Sequence, residues 1–311
     1  MDGSDNSDNS ERSDCSDCSD CSDCSGRGTA ADLEAAIRRA AQENVESSTA
    51  RLFLPLAAVE RLCGEHCLSP ADVETASLAL GIAPERYLRN FETYTLAEQV
   101  RFLRAHVALV GLGGLGGYVL ELLCRAGVGN IRGADGDEFA PSNLNRQLYG
   151  TLRSLGGFKA AAAAARVAQI NPATEFMPVA AYLNGQEMEQ FCAGAQVCVD
   201  ALGGLRDRPA LARAAAAADI PLVTAAVAGQ GGYVATVLPG QASPADFFGT
   251  DPASLAAAAE NTMGTPAPAV ATAAAILSAE VLAIVCGRGP QLAGSMLLFD
   301  LGQMSFEKVR L

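Results

Sequence analysis

The chain has 311 residues, of which half are apolar and 5% aromatic, with no Trp and a formal net charge of −13. That length allows one large domain with an appendage or two modest domains, around a core of Ala, Val, Leu and Ile. The acidic balance argues against nucleic acid or an anionic membrane as a main partner.

The charge is unevenly spread. Residues 1–26 carry seven Asp, one Glu and one Arg, a net −7, which leaves −6 for the other 285 residues. This segment ends in four tandem Ser-Asp-Cys triplets, with Cys15, Cys18, Cys21 and Cys24 three apart. It cannot bury enough apolar surface to offset its ordering entropy, so residues 1–28 are expected to be a disordered tail. The competing reading is a thiolate metal site, since three-residue spacing is known from iron–sulfur ligation. No signal peptide is visible in this polar start. The six remaining cysteines (63, 67, 124, 192, 198 and 286) are scattered, and together these features point to a reducing cytoplasm.

Residues 29–83 read as a helical extension. Asp32–Glu46 is one amphipathic stretch and Leu56–His66 another. Ser69-Pro70 supplies an N-cap and first helical residue for a helix ending at Gly81. Cys63, His66 and Cys67 share a helix face, but three ligands are too few for a tetrahedral zinc and burial is the simpler reading. Pro84–Asn90 leads into a helix over Leu96–Ala105.

From His106 the pattern alternates strand and helix, which predicts an α/β doubly wound, Rossmann-like domain. Val107–Val110 is a strand, followed by a helix that runs through Leu123. Asn130–Ala134 is the second strand, and Ala160–Ile170 is a helix stopped by Asn171-Pro172. Val197–Val199 is a central strand with Asp200 at its end. Pro209–Ala218 is a helix, and Pro221–Ala226 and Tyr233–Leu238 are strands. Residues 239–265 form a Gly/Pro/Ser-rich loop too long for a simple connector. Residues 269–286 form an Ala-rich helix, expected to be buried and not to span a membrane. Met296–Asp300 and Ser305–Val309 close the chain as a hairpin.

The chemistry sits between the first strand and Lys159. Gly111, Gly113 and Gly116 satisfy G-x-G-x-x-G, so the backbone can approach a phosphate at a helix N-terminus. Asp135, 19 residues past Gly116, ends the second strand where an acid can hold ribose hydroxyls. Alone, this fits NAD, FAD or ATP. Seven residues later comes Ser142-Asn143-Leu144-Asn145-Arg146-Gln147, and Lys159 follows Arg146 by thirteen. A nicotinamide dehydrogenase does not need that polar cluster, whereas a triphosphate does, because its charge must be neutralised before an anion can attack phosphorus.

The run from Asp135-Gly136-Asp137 through Ser142–Gln147 and Lys159 to Ile170-Asn171-Pro172 resembles the ThiF/MoeB/HesA superfamily in residue type and spacing. Arg86–Asn90 upstream, and Gly264–Gly287 with Met296–Leu311 downstream, extend the resemblance over residues 84–311. It implies an adenylyltransferase that uses ATP and Mg2+ to activate the C-terminal Gly of a small ubiquitin-like sulfur-carrier protein, for molybdenum/tungsten cofactor or thiamine synthesis. Carried over by position, Gly114 approaches the phosphates and Asp135 holds the ribose, with Asp137 beside it. Asn143, Arg146 and Lys159 bind the triphosphate. Arg89 reaches the ATP of a neighbouring subunit, which implies a homodimer, and the 239–265 loop covers the carrier's Gly-Gly tail.

Three departures stand out. The family places a magnesium-binding Asp three residues beyond the strand-end acid, but here Asp200-Ala201-Leu202 is followed by Gly203. Asp200 itself, or Asp207, is then the candidate metal ligand. The paired Cys-x-x-Cys of many members is missing, so no structural zinc is expected. The 239–265 loop has no Cys for a covalent intermediate. Two alternatives follow: a binding paralogue with weak or no adenylation because of Gly203, and an NAD-dependent oxidoreductase, which the Ser142–Gln147 run and Lys159 disfavour.

Overall fold

The computed structural model describes residues 29–247 and 259–311. The Ser-Asp-Cys tail, and residues 248–258 of the expected 239–265 loop, lie outside the described residues.

The first helix, α1 (Ala30–Ala40), begins at Thr29, whose hydroxyl and the Asp32 carboxylate form a reciprocal capping box. It ends earlier than the amphipathic pattern suggests. Two-residue strand β1 (Gln42–Glu43) follows, then β2 (Leu52–Leu54), α2 (Leu56–His66), α3 (Pro70–Ala79) and β3 (Ala83–Pro84). The extension is therefore not purely helical, because β1, β2 and β3 form a small sheet. Strands this short carry no readable alternation.

The extension is packed onto the rest of the chain. Ala50, Leu78 and Ala83 share one apolar cluster with Tyr87, Phe91, Leu103 and Ala173. Fully buried Glu74 of α3 meets Arg86 at 2.7 Å, and Arg86 also donates to the Asn171 side chain at 3.0 Å. A buried ion pair needs this kind of further hydrogen bonding to offset desolvation.

Beyond a 3-10 turn (Glu85–Asn90) the main domain runs α4 (Leu96–Leu103), β4 (His106–Val110), α5 (Gly114–Ala126), β5 (Asn130–Ala134), α6 (Lys159–Ile170), β6 (Glu175–Val179) and α7 (Gly185–Cys192). It continues through β7 (Val197–Asp200), α8 (Arg208–Ala217), β8 (Leu222–Ala228), β9 (Gly231–Val237), α9 (Ala259–Met263), α10 (Ala267–Val285), β10 (Ser295–Asp300) and β11 (Ser305–Arg310). The eight-stranded sheet has the order β11-β10-β9-β8-β7-β4-β5-β6. Strands β8 to β6 in that order are parallel, whereas β9, β10 and β11 pair antiparallel.

Helices cover both faces, as a doubly wound sheet requires. Val107 and Leu109 of β4 pack with α5, α6 and α10, while Ala108 and Val110 pack with α7 and α8. Helix α10 is long and apolar enough to cross a membrane by composition, but it packs against α5, β8 and β9. Its buried Glu280 accepts from Thr236 and from the backbone N–H of Gln291 and Leu292. The chain winds outward from β4 in both directions, so the topological switch point falls between β4 and β7. Ligands of such sheets bind outside the strand ends at that point.

Candidate active site

A cleft of about 500 Å³ opens at the carboxyl ends of β4, β5 and β7, a size suited to a nucleotide. Its floor is the glycine turn. Gly111 has φ +96°, and a Cβ there would lie 2.4 Å from the Ala201 carbonyl oxygen of the loop after β7. A Cβ at Gly116 would stand 1.8 Å from the Gly111 oxygen. These two glycines allow the close contact between the turn, α5 and the neighbouring loop. Gly113 and Gly114, with Gly111, also line the cleft. No side chain caps α5, so its first N–H groups are available to an anion.

Asp135, at the end of β5, holds this turn in place. One carboxylate oxygen accepts from the Leu112 N–H at 2.7 Å and the other from the Asp137 N–H at 2.9 Å. Lys159 opens α6, buried to 5% exposure. Its Nζ lies 2.5 Å from Asp137 Oδ2 and 3.9 Å from Asp135 Oδ1. Burial acts to raise the Asp137 carboxyl, but hydrogen bonds from Lys159 and Tyr182 outweigh it and leave the group below its ordinary value. Asn143 Oδ1 accepts the Ala140 N–H at 3.0 Å. The Arg146 guanidinium donates to the Ser142 carbonyl at 3.0 Å and to Asn145 at 2.8 Å. Gly113, Gly114, Asp135, Asp137, Asn143, Arg146 and Lys159 therefore all line one cleft.

The remaining candidates fall elsewhere. Arg89 is 95% exposed, 3.8 Å from Glu46, and is not among the residues lining the cleft of its own chain. Asp200 is 1% exposed and does not line the cleft either. Its Oδ2 accepts from Arg208 at 2.9 Å and from the Thr224 hydroxyl at 2.7 Å, while Oδ1 accepts the Leu202 N–H at 3.1 Å. The expectation that Asp200 binds magnesium or acts catalytically does not fit these surroundings. Withdrawing its carboxylate would leave the buried guanidinium uncompensated, at a cost of about 3–5 kcal/mol. Asp207 and Gly203 do line the cleft. Asp207 is exposed and its side chain does not cap α8. Nothing stands within 4 Å of where a Gly203 Cβ would point.

Three further residues contribute to the site beyond those assigned a role from the sequence. Arg208 fastens the loop after β7 through the Gly204 and Leu202 carbonyls at 2.8 and 2.7 Å. Gln147 is buried beside Gly113, with Oε1 lacking a hydrogen-bond donor. Tyr182, in the loop after β6, donates to Asp137. Gln147 carries a signal, being inside the Ser142–Gln147 motif, whereas Arg208 meets Thr224 and Ala225, and Tyr182 meets Asp137, only through strand order. Cys63 packs in the apolar cluster of the extension, and Cys67 is exposed. Among the described residues no three His, Cys, Asp or Glu side chains stand together as a metal site.

Fold and cleft together define a class: a doubly wound α/β domain with a glycine turn, a strand-end acid and converging cations at the switch point. Within that class the chain belongs to the ThiF family, which matches residues 85–311. It is 31% identical over 211 residues to the SAMP-activating enzyme E1 of Haloferax volcanii, covering 68% of this chain and 78% of that protein. It is also 31% identical over 217 residues to the sulfur carrier protein adenylyltransferase of Thermus thermophilus, covering 68% and 80%. Among solved structures, E. coli MccB with ATP superposes with a TM-score of 0.61 at 18% identity, covering 81% of this chain and 82% of that one, a likeness of fold. By family the chain is an enzyme of the adenylyltransferase type.

Proposed function

We propose that the chain adenylates the C-terminal Gly of a small ubiquitin-like sulfur-carrier protein, with ATP as co-substrate, in molybdenum/tungsten cofactor or thiamine synthesis. The observation that carries this reading is the convergence of Lys159, Arg146 and Asn143 on the cleft floored by the glycine turn, with Asp135 beside it. The carrier carboxylate attacks the α-phosphorus, an acyl-adenylate forms, and pyrophosphate leaves. Lys159 and Arg146 neutralise the triphosphate and the charge on the departing pyrophosphate. The free N–H groups of α5 hold phosphate oxygens, and Asp135 accepts from the ribose. A more open groove, lined by Gly229, Gly231, Phe299 and Asp300, meets the cleft at Thr265, a route for an extended Gly-Gly tail.

A divalent metal accompanying ATP has one carboxylate to meet from the loop after β7, that of Asp207, because Asp200 is engaged with Arg208 and Gly203 has no donor. Magnesium would draw its other ligands from phosphates and water, so this set suits it. Its chemistry there is to polarise and neutralise phosphate oxygens. Arg89, exposed on the extension side, serves the ATP of a second copy in a homodimer, and the enzyme works in the cytoplasm without structural zinc.

The test is pyrophosphate exchange with a carrier ending in Gly-Gly, across a magnesium titration. Wild type should exchange, and Arg146→Ala or Lys159→Ala should lower the rate roughly ten- to a hundredfold. Absence of exchange, with ATP binding intact, would favour the second reading that Gly203 motivates: a paralogue that binds nucleotide or carrier without adenylating it.

A further inference from the structure

We propose that Tyr182 is a positioning residue that couples the adenosine end of the cleft to the triphosphate end, through Asp137 and Lys159. This rests on the nucleoside-triphosphate reading of the cleft and adds to it a residue that the glycine turn and the Ser142–Gln147 segment do not include.

Tyr182 is 74% exposed, yet it is fixed at both ends. Its hydroxyl donates to Asp137 Oδ1. Its ring lies against Gly136 so closely that a Cβ there would sit 2.7 Å from ring Cδ2. A long exposed side chain held in one rotamer costs entropy, and the contact that offsets it here is to a carboxylate of the cleft. The other oxygen of the same carboxylate, Oδ2, takes the Lys159 ammonium at 2.5 Å. One anion is thus shared between a phenol from the loop after β6 and the cation that opens α6.

The sharing has a direction. Lys159 is paired with Asp137, so a triphosphate entering the cleft competes with that carboxylate for the ammonium. A hydrogen bond from Tyr182 stabilises the Asp137 charge and weakens its hold on Lys159. Removing only the hydroxyl leaves Asp137 to Lys159 alone, and the triphosphate loses. The ring has a separate role. With Ala181, Leu183 and Met188 it lines the cleft, in the segment that follows β6, the strand paired with β5, and these side chains offer an adenine its nonpolar contact. Ring and hydroxyl therefore act on different parts of one ligand.

Calorimetric titration of the full chain with ATP and with AMP tests this, using Tyr182→Phe and Tyr182→Ala and thermal melting as a check on folding. Tyr182→Phe should weaken ATP about three- to tenfold and leave AMP unchanged. Tyr182→Ala should weaken both. Asp137→Asn holds Lys159 less firmly, so adding Tyr182→Phe to that variant should cause no further change in ATP affinity. Variants that bind both nucleotides as wild type does would overturn the coupling while leaving the nucleotide site standing. Equal loss of ATP and AMP in Tyr182→Phe would also overturn it. Wild type that binds neither nucleotide would sink the nucleotide reading and the coupling with it.

Discussion

Asp200→Ala separates two roles for the acid at the end of β7. If its work is to hold Arg208, the substitution leaves a guanidinium that is 2% exposed without its counter-charge. It also removes acceptors for the Thr224 hydroxyl and the Leu202 N–H. Breaking a buried pair from one side costs about 3–5 kcal/mol. For a domain of this size each kcal/mol lowers the melting temperature by about 2–4 °C, so the loss should be about 6–20 °C. The double variant Asp200→Ala with Arg208→Met removes both charges and should recover more than half of it, because the uncompensated charge is what costs most. Asp207→Ala, an exposed position, should leave melting within about 2 °C of wild type but shift the magnesium midpoint of ATP binding upward. The assays are differential scanning fluorimetry and a magnesium titration of ATP affinity. An Asp200→Ala variant that melts like wild type but loses its magnesium dependence would refute this account, for then the acid serves the metal and not Arg208.

Three further outcomes follow from the geometry. Gly203→Asp meets no atom within 4 Å of the added Cβ, so stability should change by less than about 0.5 kcal/mol, and magnesium-dependent exchange should be kept or raised; unfolding of this variant would contradict the open site. A chain starting at residue 84 removes Leu78, Ala83 and Glu74 from beside Tyr87 and Arg86, and should be insoluble or molten by near-ultraviolet circular dichroism. A chain starting at residue 29 should retain nucleotide binding and carry less than one zinc or iron per molecule by elemental analysis. A stoichiometric metal there would redirect attention to Cys63, His66 and Cys67.

Much of the cleft is legible in the sequence because its residues are local. The glycine turn, Asp135, Asn143, Arg146 and Lys159 lie within 49 residues of one another, each with a charge or backbone requirement that its residue type announces. The doubly wound order is legible for a related reason, since buried parallel strands read as apolar runs. Strand β6, by contrast, gives no such run. It forms the sheet edge, and Glu175, Met177 and Pro178 in it are exposed. Helix α7, with Asn184 and Glu187 closing a capping box at its start, follows that edge strand and is as easily passed over. The two-residue strands of the extension have no period to detect.

Residue types and their spacing point to the kind of ligand: a glycine turn, a strand-end acid and cations at fixed intervals suit an anionic nucleotide where a fold brings them to one strand end. Which acids remain free to serve it is settled instead by the packing of the folded chain. Thr224 lies 24 residues beyond Asp200 and reaches it because β7 and β8 pair in parallel, with Asp200 opposite Thr224. Tyr182 reaches Asp137 across 45 residues because β6 runs beside β5. A carboxylate's role is set by the donors that surround it, and those donors are chosen by strand order, which spacing along the chain does not encode.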